Sequence, residues 1–61
     1  MKVYQLTFKI IVGGNLVSTT QRLFKTEEQL YDGEETLRKA AYELGINKYA
    51  ISVEKTVLEV L

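Results

Sequence analysis

Ile10-Ile11-Val12-Gly13-Gly14-Asn15-Leu16-Val17 is the stretch that decides the fold. Gly and Asn tolerate the positive φ values of a tight hairpin turn. On either side lie two strand-like runs, Val3 to Val12 and Leu16 to Lys25. The first run alternates strictly. Tyr4, Leu6, Phe8, Ile10 and Val12 share one parity, and Val3, Gln5, Thr7, Lys9 and Ile11 share the other. A period of two marks a half-buried strand. The even face is the expected core, and Lys9 marks the odd face as the open one.

The register of the second strand depends on the turn. A two-residue turn at Gly14-Asn15 sets Val12 opposite Val17, Ile10 opposite Thr19, Phe8 opposite Gln21 and Leu6 opposite Leu23. Val17 and Leu23 then join the core, while Ser18, Thr20, Arg22 and Phe24 point outward. A three-residue loop slips the pairing by one and buries Leu16 and Phe24 instead. The two-residue turn is preferred because the other register also buries Arg22.

Thr26-Glu27-Glu28-Gln29 has the form of a capping box, so a helix begins there. Leu30, Gly33, Leu37, Ala40, Ala41 and Leu44 then fall on one helical stripe. Gly33 costs about 1 kcal/mol relative to Ala in a helix interior. Its place on the stripe predicts a close approach of helix to sheet. The alternative is a break, with Asp32 as the cap of a second helix. Gly45 stops the helix in the left-handed conformation, and Ile46 supplies the following apolar contact.

The last segment, Tyr49 to Leu61, is strand-like but changes phase. Ile51 and Val53 share a parity with Val57 and Leu61, whereas Leu58 and Val60 take the other. A bulge near Glu54-Lys55-Thr56 accounts for this. A second hairpin there would too, but Glu-Lys-Thr is poor turn chemistry. A right-handed crossover then places the third strand beside the first. The expected architecture is α+β, a single ββαβ domain over residues 1–61. Its three-stranded sheet has order 2-1-3, with one helix on one face.

Composition narrows the function. Eight basic and eight acidic residues cancel, so the chain lacks the electrostatic footprint of a general nucleic-acid binder. There is no Cys for a disulfide and no His for a metal or a general base. No run approaches the ~18 apolar residues of a membrane span. Nor does Met1-Lys2 open a signal peptide. The expectation is a cytoplasmic, non-enzymatic protein, complete as written, with no cofactor and no metal. Gly13-Gly14-Asn15 is a turn and not a phosphate loop, because a strand follows it where a Lys-Ser or Lys-Thr and a helix are required.

Two surfaces are candidates for a partner. The open sheet face is expected to carry Val3, Lys9, Ile11, Arg22 and Phe24, with Ser52, Glu54 and Thr56 from the last strand. The helix start carries Glu27, Glu28, Asp32, Glu34 and Glu35. These acids complement the helix dipole, and they also suit an acidic knob for a basic partner. They lack the loop spacing of a calcium site. The candidate partner-binding residues are thus Lys9, Arg22, Phe24, Glu28, Asp32, Glu34 and Glu35. A nucleic-acid platform would need several stacking aromatics, and this face offers only Phe24. Tyr31, Tyr42 and Tyr49 are expected at the helix flank and core rim. Both sheet edges are long and lack Pro, so either suits a partner strand or a second copy.

The opening Val3-Tyr4-Gln5-Leu6-Thr7-Phe8-Lys9, the junction Phe24-Lys25-Thr26-Glu27-Glu28 and the helix end Leu44-Gly45-Ile46 together span most of the chain. In this layout the chain resembles small bacteriophage accessory proteins. The resemblance is architectural and carries over no functional residue. It implies a small protein that binds one larger host protein and inhibits it. Two other readings stand beside it: a nucleic-acid binder using Lys9, Arg22 and Lys25, and a homodimeric structural subunit.

Overall fold

A computed structural model describes residues 1–61. The elements are β1 (Lys2–Val12), β2 (Asn15–Phe24), α1 (Glu27–Glu43), a 3-10 turn (Lys48–Ala50) and β3 (Ile51–Glu59). The sheet order is β2-β1-β3, with both edge strands antiparallel to β1. The α+β, ββαβ architecture is therefore the expected one.

Local chemistry explains the helix ends. The Thr26 hydroxyl accepts from the Gln29 amide at 3.2 Å, and the Gln29 side chain accepts from the Lys25 amide at 3.2 Å. At the other end Gly45 takes φ +82°. Its amide donates to Tyr42 O at 2.9 Å, and the Ile46 amide donates to Ala41 O at 3.0 Å. That pair of bonds is a Schellman stop, which satisfies carbonyls the helix leaves open. Between these caps α1 is continuous, so Asp32 starts no second helix. Asn47 caps the 3-10 turn by accepting from the Tyr49 amide at 2.9 Å. β3 consequently starts at Ile51, two residues later than the expected Tyr49.

The hairpin differs from expectation. The turn residues are Gly13 and Gly14, with φ of +59° and +80°. Val12 pairs with Asn15 and Ile11 with Leu16, but Ile10 pairs with Ser18, so Val17 is an extra residue in β2. Beyond this bulge Phe8 faces Thr20, Leu6 faces Arg22 and Tyr4 faces Phe24. This is the register of a three-residue loop, reached by a two-residue turn plus a bulge. Phe24 and Arg22 lie on the helix face and not on the open face. Val17 and Leu23, expected in the core, are 64% and 64% exposed.

The physical reason is the fit between Phe24 and Gly33. A methyl group at position 33 would overlap the Phe24 ring, coming within 2.9 Å of Cε1. The bare glycine is what admits the ring beneath the helix. The objection that this register buries Arg22 does not hold. β2 is an edge strand and Arg22 is exposed. A long side chain there lays its stem along apolar surface and keeps its head in water.

β3 carries no bulge. It pairs with β1 without a break, from Lys2 opposite Glu59 to Ile10 opposite Ile51. The phase change has another origin. Ile51, Val53, Lys55 and Val57 share the helix face, and Lys55 there reaches Glu34 of α1 at 2.6 Å. Leu58 shares the open face with Val3. The strand simply has apolar residues on both sides.

The core is small. Leu6, Phe8, Leu30 and Ala41 are the only buried apolar residues, and five of the 61 residues are buried altogether. Each fully buried Leu or Phe contributes about 1.5–3 kcal/mol. Ala40 and Leu44, expected on the inner stripe, are exposed, Leu44 by 80%. Their places are taken by Glu34 and Arg38, which are half-buried. α1 lies over β1 and β2 rather than over β3.

Candidate protein-binding surface

The open face follows from the pairing. One row runs Leu23, Gln5, Thr56, the next Gln21, Thr7, Glu54, and the next Thr19, Lys9, Ser52. Val3 and Leu58 pair beyond the first row. The ladder continues one step further: Val60 N donates to Met1 O at 2.7 Å and the Met1 ammonium donates to Val60 O at 3.1 Å. By alternation Val60 lies on the open side with Leu58.

This face is divided along the strands. Its centre is polar. Gln21 Nε2 makes a long 3.5 Å contact to the hydroxyl of the buried Thr7, and Lys9 Nζ lies 3.8 Å from Glu54. One end is apolar, formed by Val3, Leu23, Leu58 and Val60. Leu23 is 64%, Leu58 38% and Val60 39% exposed. The hairpin end, Ile11 and Leu16, is apolar as well, at 37% and 60% exposure.

The residues singled out from the sequence do not form one site. Lys9 is on the open face, in a salt bridge. Arg22 and Phe24 are on the other face, Phe24 half-buried under Gly33. Glu28, Asp32 and Glu35 are all exposed on α1. Their spacing of four and three residues places them on one side of the helix. Glu34 is separate. Its side chain is only 14% exposed and is held by Arg38 Nε at 2.9 Å and Lys55 Nζ at 2.6 Å.

The electrostatics of Glu34 are those of a structural clamp. Burial alone would push its carboxyl up. Hydrogen bonds from Lys55 and Arg38, together with their charges, outweigh burial and hold the carboxyl below its ordinary range. The same hydrogen bond to Glu34 raises the Arg38 guanidinium. Lys55 also lies 4.7 Å from the centre of the Tyr31 ring, a cation–π distance. The clamp thus ties the middle of α1 to β3. Tyr31 and Tyr42 are about half exposed, at 51% and 47%, as rim residues are, whereas Tyr49 is 86% exposed.

Sequence reasoning missed Leu23 as a surface residue. The signal that finds it is the phase change in the last segment. Leu58 and Val60 share the face of Val3, so an apolar open end already existed for Leu23 to join.

The surface has no pocket, and no three acidic residues are grouped to hold a metal ion. No helix is long and apolar enough to cross a membrane. No protein-family model, no curated protein and no solved structure matches the chain.

Proposed function

We propose that this chain is a non-enzymatic protein-binding module that acts by covering a functional surface of a larger protein. The contact surface is the apolar end of the open sheet face, Val3, Leu23, Leu58 and Val60. The observation that supports this reading is the exposure of the apolar side chains there, Leu23 at 64%, Leu58 at 38% and Val60 at 39%. The accessible surface is 4620 Å² for a mass of 7.0 kDa. A typical monomer of that mass exposes about 4,000 Å². Contiguous apolar patches mark interaction sites. Inhibition of a host protein by a phage-encoded partner is the mode of action that the architectural resemblance suggests for such a module.

A nucleic-acid role draws little support from the side-chain placement. Lys9 is neutralised by Glu54, and Arg22 lies on the opposite face. Phe24, the one aromatic residue expected to stack bases, is covered by the helix.

The test is affinity capture from nuclease-treated bacterial lysate by tagged wild type and by Leu23→Glu. Leu23 makes little core contact, so the variant keeps its fold, which circular dichroism verifies. A stoichiometric protein captured by wild type and lost with Leu23→Glu supports the proposal. Capture unaffected by the substitution, or none with either bait, refutes it.

A further inference from the structure

The outer edge of β3 points to a second copy of this chain, and the inference stands independently of the open-face reading. In antiparallel pairing, residues alternate between those that bond to their neighbour and those whose N–H and C=O point away. Met1 and Val60 exchange bonds. Even-numbered residues of β3 therefore bond inward to β1. Ile51, Val53, Lys55, Val57 and Glu59 turn their backbone groups outward. β3 has no Pro and no bulge, and α1 lies to one side of it. Only the charged side chains of Glu54, Lys55 and Glu59 stand against pairing at this edge.

Charge selects the partner and the register. Two antiparallel copies of β3 related by a two-fold axis pair residue i with a fixed partner j. Centring the axis on Val57 sets Lys55 opposite Glu59 of the second copy, twice, with Val57 against Val57. Centring on Lys55 sets Lys55 against Lys55, and centring on Glu54 sets Glu54 against Glu54. Centring on Thr56 or Leu58 forms no ion pair. Only the Val57 register is complementary to itself. It also brings Thr56 against Leu58 and Glu54 against Val60. It thereby covers side chains that the single chain leaves open, Val57 being 57% exposed.

We infer that this chain forms a symmetric homodimer by antiparallel pairing of β3 with β3, centred on Val57. Two three-stranded sheets become one sheet of six strands. The two-fold axis stands perpendicular to the sheet, so both helices lie on one face. Because α1 sits over β1 and β2, the helices flank the seam and do not collide. Lys55 keeps its bond to Glu34, since an ammonium group has three donors and Lys55 is 37% exposed.

Light scattering and sedimentation equilibrium of the full chain, from 1 to 200 μM, measure the mass. The expected value is twice 7.0 kDa at the upper concentrations. The absence of native Cys makes disulfide mapping clean. Val57→Cys is expected to oxidise to a covalent dimer. Glu59→Cys is not, because its two copies stand about 13 Å apart, four residues at ~3.3 Å each. Glu59→Lys is expected to weaken the dimer about tenfold by placing like charges opposite each other at two positions. A monomer at every concentration overturns the inference. So does a dimer in which Val57→Cys fails to crosslink, or one that Glu59→Lys leaves unchanged.

Discussion

Replacing Gly33 by Ala tests the packing on which the register of β2 rests. An Ala in the middle of a helix is favoured over Gly by about 1 kcal/mol. Gly33 has no positive φ, so Ala meets no backbone strain. On propensity alone Gly33→Ala would stabilise. The structure reverses the sign. The new methyl would come within 2.9 Å of Phe24 Cε1 and 3.2 Å of Cε2, and closer still to Cζ. Overpacking of this kind costs roughly 1–3 kcal/mol. The net expectation is a loss of about 1 kcal/mol, or about 4–8 °C in Tm for a domain of this size. Phe24→Leu removes the far end of the ring. In that background Gly33→Ala is expected to stabilise by about 1 kcal/mol, a coupling of about 2 kcal/mol between neighbours. Urea denaturation of the four proteins, followed by circular dichroism at one fixed concentration, measures the cycle. If Gly33→Ala stabilises the wild type as much as it stabilises Phe24→Leu, Phe24 is not under the helix and the packing argument fails.

Two further predictions concern the clamp and the helix stop. The depressed carboxyl of Glu34 contributes stability above its unfolded pKa, about 4.3, and loses it as pH falls through the lower folded value. Glu34→Gln should therefore be less stable than wild type at pH 7 by up to about 1 kcal/mol, since its partners are a third exposed. The gap should close towards pH 3; urea midpoints that keep it constant between pH 7 and pH 3 would contradict the clamp. Gly45→Ala forces a side chain to φ +82° with no atom within 4 Å of the new methyl. It should cost about 1 kcal/mol by backbone strain alone, and thermal melting with no loss would rule out the left-handed stop.

The parts legible in the sequence were the local ones. The turn glycines, the Thr26 cap, the Gly45 stop and the alternation of β1 each rest on a few neighbouring residues, whose conformational preferences act before any tertiary contact forms. Handedness of the crossover then sufficed for the 2-1-3 order. The close approach at Gly33 was also legible, because a glycine on an apolar helical stripe has few other uses.

What the sequence by itself left open was the choice between near-equal burials far apart in the chain. Leu23 and Phe24 are adjacent and both apolar, so pattern alone cannot say which goes inside. The tertiary structure decides it: Phe24 finds the space beneath Gly33, and the bulge at Val17 absorbs the one-residue slip. That slip moves Arg22 and Phe24 off the open face and puts Leu23 on it. The candidate surface therefore changed while the fold class did not. Likewise Lys55 interrupts the apolar phase of β3 because it must meet Glu34, a partner distant in sequence. Strand identity is set locally, but the face each side chain occupies depends on which long-range contact gains most.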